Sequence, residues 1–261
     1  DYSVFPNREV VIKTTNGGNY WFEAFYSNSS YTRFESIYFI DEFTGVVVSQ
    51  GGSGGGNAGY MYRSTNGGGT WVGLNVNDLC YYTGLNFTDS NTGWVLRQYG
   101  DDTGHDSAYI LKSTNSGINW FEIYKKEKVV FTSNYFLNNN TGWISGLDHS
   151  GSSYVTVFYK TTNGGGSFTE IQMPTSTTLY SIRFVDDDYG YVGGEGGVFY
   201  YTTDGGDNWT NNQLYLGNSQ SIRDIRFKGP NLWLVGTDGL IMKGTELSIP
   251  VELTSFTASV V

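Results

Sequence analysis

Cysteine, proline and positive charge are what this chain has least of. A single cysteine, Cys80, stands among 261 residues, so no internal disulfide can brace the fold and packing has to supply the stability. Lys and Arg number 15 against 25 Asp and Glu, a formal net charge of −10. The basic residues form no stripe along the sequence, so a polyanion such as nucleic acid is repelled before it docks. No apolar run reaches the roughly 18 residues that a membrane-spanning helix needs, which excludes insertion by helix. The chain opens at Asp1 with no initiator methionine, basic leader or apolar h-region; the expectation is a mature protein whose signal has been removed, or a trimmed chain.

Glycine, at 36 residues, and aromatics, at 17%, suit many short strands joined by tight turns. Two motifs alternate. The first reads Thr14-Thr15-Asn16-Gly17-Gly18-Asn19-Tyr20-Trp21 and returns at Ser64 to Trp71, Ser113 to Trp120, Thr161 to Phe168 and Thr202 to Trp209, with steps of 50, 49, 48 and 41 residues between the terminal aromatics. The second is a Phe, a turn rich in Asp and Asn, then an aromatic or apolar residue opening a Val-rich run, around Phe39 to Val46, Phe87 to Trp94, Phe136 to Trp143, Phe184 to Tyr191 and Phe227 to Trp233. All 7 tryptophans fall inside one motif or the other.

Each repeat reads as four short strands of period two. In the turn between the third and fourth, an Asn or Asp side chain folds back on backbone amides while the next residues take positive φ. The pairs are Asn16 with Trp21, Asn66 with Trp71, Asn115 with Trp120, Asn163 with Phe168 and Asp204 with Trp209. Each ring is expected to pack between neighbouring sheets. Asp41, Asp89, Asn138 and Asp186 recur after the second-motif Phe and read as turn caps, because a residue needed in every repeat serves the repeat.

The first motif resembles the Asp-box, or bacterial neuraminidase repeat, Ser/Thr-x-Asp-x-Gly-x-x-Trp/Phe, with Asn for Asp in four of five copies. With the second motif it looks most similar to the photosystem II assembly factor type of propeller, and more distantly to sortilin and xyloglucanase propellers. The resemblance implies an all-β fold, a β-propeller of four-stranded antiparallel blades over residues 1–248, six in number, with five or seven as alternatives. Residues 249–261 are expected to be a closing strand or a linker to an absent C-terminal domain. Residues 8–26 hold only the last two strands of a blade, and segment 2–5 or segment 251–260 is expected to complete it. Segment 249–259 also resembles the linker of secreted Bacteroidetes and Ignavibacteria proteins that carry a type nine secretion sorting domain, which implies an extracellular or cell-surface setting. Asp106-Ser107-Ala108 resembles the short O-glycosylation signal of Bacteroidetes.

Function is less legible, because Asp-box hosts include enzymes, receptors and assembly factors. The irregular loops carry Asp101, Asp102, His105 and Asp106 after Tyr99, and Asp148 with His149 in the next repeat, so both histidines fall in corresponding loops. These seven residues form the candidate ligand site, and Asp101, Asp102 and Asp106 a candidate Ca²⁺ site; the alternative is a solvated acidic loop. No other cofactor is expected. Phe25, Tyr26, Tyr31, Tyr81, Tyr82, Tyr124, Tyr180 and Tyr215 offer ring faces to sugars or to a protein partner. Gly51 to Gly55 matches a nucleophile elbow only formally, without a strand-to-helix setting. The leading reading is a secreted or cell-surface non-catalytic binding module for a protein or carbohydrate. The alternative is a glycoside hydrolase using a carboxylate pair drawn from Glu35, Asp101, Asp106 and Asp148.

Overall fold

The computed structural model describes residues 9–27, 33–50, 59–74, 80–99, 107–212, 220–229 and 231–244, with the backbone of 256–258. It divides into two compact units, residues 1–127 and 128–261. In the first, β1 (Val10–Lys13) and β2 (Phe22–Tyr26) pair as a two-stranded sheet. There follow β3 (Arg33–Phe39), β4 (Gly45–Gln50), β5 (Met61–Ser64) and β6 (Val72–Gly73), then β7 (Tyr81–Phe87), β8 (Gly93–Tyr99), β9 (Ser107–Ser113) and β10 (Phe121–Glu127). One bridge, Gln50 to Tyr81, joins these two sets. The second unit holds three antiparallel sheets of four: β11 (Val129–Phe136) to β14 (Thr169–Ile171), β15 (Leu179–Phe184) to β18 (Thr210–Asn211), and β19 (Ile222–Lys228) to β22 (Phe256–Ala258).

Burial explains the sequence pattern. In the sets before the last, the second strand is covered on both faces over most of its length, so β4 is buried from Gly45 to Ser49 and β16 (Gly190–Gly194) throughout. Such strands read as continuous apolar or small runs, whereas outer strands alternate. The first strands of four sets carry a register shift at a matching place, at Phe34/Ser36, Phe131/Ser133, Leu179/Ser181 and Ile222/Asp224. A bulge there re-aims the extra residue, Thr132, Tyr180 or Arg223. The second-motif Phe lies across its glycine partner: a Cβ on Gly190 would meet the Phe184 ring at 2.5 Å, so only glycine fits beneath it.

The Asp-box turns repeat one hydrogen-bond scheme. Asp204 Oδ1 accepts from Asn208 N at 2.9 Å and from Thr202 Oγ1 at 2.8 Å, and Thr202 Oγ1 accepts from Gly206 N at 2.9 Å. Gly205 and Gly206 take φ of +69° and +86°, where a Cβ is strained. The ring then closes the turn: Trp209 Nε1 donates to Gly206 O at 3.0 Å and meets Phe158 and Phe184 edge-on. Trp71 and Trp120 do likewise. Trp21 departs from the expected burial. It is 52% exposed, because its two-stranded sheet offers less surface to cover it. The motif-two carboxylates and amide are turn caps, with Asp41 Oδ1, for one, accepting from Phe43 N and Thr44 N.

Of the two segments offered to complete the N-terminal strands, segment 2–5 lies outside the described residues. Phe256–Ala258 pairs instead with β21 (Ile241–Gly244), supplying the fourth strand of the last sheet.

Candidate functional site

Of the loop residues read as a ligand site, Asp101, Asp102, His105 and Asp106 lie outside the described residues. Tyr99 ends β8 edge-on to Tyr109 at 5.5 Å, with the Arg97 guanidinium over both rings and bonded to Glu122 at 2.9 Å. In the second unit, Asp148 Oδ1 accepts from Ser150 N at 2.7 Å, which caps a turn, and His149 N donates to Lys128 O at 2.9 Å. Among the described residues no three His, Cys, Asp or Glu side chains converge as a metal site. Of the aromatic platforms, Tyr82 is fully buried and Phe25 is enclosed by Phe34, Tyr62 and Trp71; Tyr31 and Tyr215 lie outside the described residues.

A different group of residues is built where the first strands of the second unit stand side by side. The residue just before the second-motif Phe is Tyr135, Arg183 and Arg226 on β11, β15 and β19. Arg183 lies over the Tyr135 ring at 5.4 Å, and the Tyr135 hydroxyl donates to Phe184 O at 3.1 Å, tying one sheet to the next. Asp224 serves two cations, taking Arg226 Nε on Oδ2 at 2.7 Å and Arg183 Nη2 on Oδ1 at 3.3 Å. At the bulge, the Arg223 guanidinium lies over the Tyr180 ring at 4.0 Å. Three of the seven arginines in a chain of net charge −10 thus sit on two adjacent strands.

Their electrostatics is unbalanced. Burial lowers the pKa of Arg183, the Arg226 charge lowers it further, and Asp224 and Tyr135 oppose the shift. Arginine nonetheless stays charged. One carboxylate faces two guanidinium groups, and Arg183 Nε is buried without an acceptor among the described residues. Planar guanidinium forks beside tyrosine faces suit a carboxylate on an extended chain. The signal was in the sequence: aligning the repeats on Phe39, Phe87, Phe136, Phe184 and Phe227 puts Tyr38, Asn86, Tyr135, Arg183 and Arg226 in one column. Scanning for a linear basic stripe misses it.

Residues 161–248 match the family model described as photosynthesis system II assembly factor YCF48. The photosystem II assembly lipoprotein Ycf48 of Synechococcus sp. (strain CC9902) is 30% identical over 78 residues, covering 29% of this chain and 23% of that relative. Among solved structures, YCF48 bound to D1 peptide aligns with TM-score 0.55 and 16% identity over 81% of this chain and 64% of that one. An ancestral GH74 enzyme aligns with TM-score 0.62 and 15% identity over 95% of this chain and 35% of that enzyme. The chain therefore spans less than two thirds of the length of these relatives. The architecture is a β-propeller of neuraminidase-type repeats, similar to the photosystem II assembly factor type.

Proposed function

We propose that this propeller is a non-catalytic binding module that seats an extended, carboxylate-bearing segment of a partner protein on the arginine and tyrosine residues of β15 and β19. The carrying observation is that, among the described residues, one carboxylate, Asp224, is shared by Arg183 and Arg226 while the exposed Arg223 lies over Tyr180. The likeness to a YCF48 propeller whose structure holds a peptide supports a protein partner. Local positive charge is compatible with the acidic whole: net charge repels a polyanion at long range, whereas a single carboxylate is captured at contact.

The test is fluorescence titration of a labelled peptide ending in a free carboxylate, against the same peptide amidated. The free form should bind better, and Arg223→Ala or Arg226→Ala should weaken it roughly tenfold. Equal binding of both peptides, or no response to either substitution, overturns the reading. The proposed setting is extracellular or cell-surface, on the strength of segment 249–259; fractionation of the source cells checks it.

The rival glycosidase reading draws on Glu35, whose carboxyl pKa burial raises and Arg33 pulls down. A raised carboxyl suits a general acid. Glu35 and Asp148 belong to different units. Reducing sugar released from a polysaccharide panel, and abolished by Glu35→Gln, would overturn the non-catalytic reading.

A further inference from the structure

The chain contains three Asn-Gly pairs, all in Asp-box turns: Asn16-Gly17, Asn66-Gly67 and Asn163-Gly164. In the boxes that belong to four-stranded sets, the amide after the Asn or Asp is held by the hairpin between the first two strands. Gly67 N donates to Phe43 O at 2.8 Å, Ser116 N to Asn91 O at 2.9 Å, Gly164 N to Asn140 O at 2.7 Å and Gly205 N to Asp188 O at 2.8 Å. The two-stranded N-terminal sheet brings no such hairpin among the described residues, and Gly17 N has no acceptor there. A Cβ on Gly17 would touch nothing within 4 Å, whereas one on Gly67 would meet Glu42 O at 3.0 Å.

We infer that Asn16 is a site of spontaneous amide modification, and that Asn66 and Asn163 are protected by the hairpins their sheets supply. In the reaction the Gly17 nitrogen loses its proton and attacks Asn16 Cγ. The Cγ–Nδ2 bond breaks, ammonia leaves and a five-membered imide forms; water then opens it to aspartate or isoaspartate. At Asn66 and Asn163 the same nitrogen must first leave its carbonyl. The side-chain amides are held alike, since Asn16 Oδ1 accepts from Thr14 Oγ1 and Tyr20 N, Asn66 Oδ1 from Ser64 Oγ and Thr70 N, and Asn163 Oδ1 from Thr161 Oγ1 and Ser167 N, so the backbone nitrogen makes the difference. A two-stranded sheet also opens locally more readily than a four-stranded one. The two products differ in consequence. Aspartate keeps the acceptor, as Asp204 shows in the fifth box; isoaspartate lengthens the backbone and detaches the side chain from the turn.

The experiment incubates the full chain in mildly alkaline buffer and follows the three sites by peptide mapping and mass spectrometry, with an Asn16→Asp chain as the product standard. Asn16 should convert roughly tenfold faster than Asn66 and Asn163, the worth of one buried backbone hydrogen bond. In denaturant the three rates should converge. Equal rates in the folded chain, a lead for Asn66 or Asn163, or an Asn16 lead that persists undiminished in denaturant each overturns the inference.

Discussion

At the scale of the single residue, the Asp-box side chain acts as an acceptor, which is why Asn and Asp exchange between repeats. Asn163→Ala should lose about 1 kcal/mol in urea unfolding, the usual worth of such a cap, while Asn163→Asp should be close to neutral. Asp204 adds a pH signature. Its desolvation alone pushes the pKa up, but bonds from the Asn208 side chain and backbone, Thr202 and Asp207 outweigh it, and the pKa lies below the ordinary 3.8. A carboxyl with a lower pKa in the folded state stabilises the fold above its unfolded pKa, and that contribution fades as pH falls through the folded value. Thermal melts on acidification should therefore show the parent losing more stability below pH 3.8 than Asp204→Asn does. The rings differ by burial. Trp209→Ala should cost about 3–5 kcal/mol, and Trp21→Ala, at 52% exposure, a small fraction of that by the same urea measurement.

At the scale of strands and turns, neighbouring sheets are fastened by contacts that recur from repeat to repeat. The cation just before three of the five boxes reaches the next box turn: Lys13 Nζ donates to Gly67 O at 2.6 Å, Arg63 Nε to Ser116 O at 2.8 Å, and Lys160 Nζ to Asp207 Oδ1 at 2.7 Å. Trp143 combines two such contacts, donating from Nε1 to Gly205 O at 3.0 Å and stacking on Phe184 at 3.4 Å. The turn has no room for more, since a Cβ on Gly206 would meet Trp143 Nε1 at 2.8 Å. Gly206→Ala combines that clash with a φ of +86° and should destabilise by roughly 2–4 kcal/mol. Tyr135→Phe, which removes the hydroxyl's bond to Phe184 O, should cost about 1 kcal/mol. Chemical denaturation of both variants measures the contrast.

At the scale of the whole chain, the proposed reading has the overall acidity repel polyanions at long range while the local arginines take a single carboxylate at contact. Binding of the free-carboxylate peptide should weaken with salt, and Arg223→Ala should flatten that dependence. The repeat, its turns and its all-β character were legible because each is encoded within a few neighbouring residues: Asn-Gly-Gly specifies a turn, alternation a strand, and Phe with Gly a cross-strand pair. The exposure of Trp21 and the partner strand of segment 256–258 are not legible in the sequence, because burial and strand pairing depend on which strands stand beside them and no local pattern states that. The arginine group was overlooked for the same reason. Arg183, Arg223 and Arg226 are dispersed along the chain, and only the stacking of β15 against β19 gives two of them one shared aspartate. Composition and spacing by themselves determined the kind of strand and turn this chain makes, since those are set by short-range sterics and hydrogen bonds. Tertiary structure alone decided which charges meet, since Coulomb energy depends on distances that sequence separation does not measure.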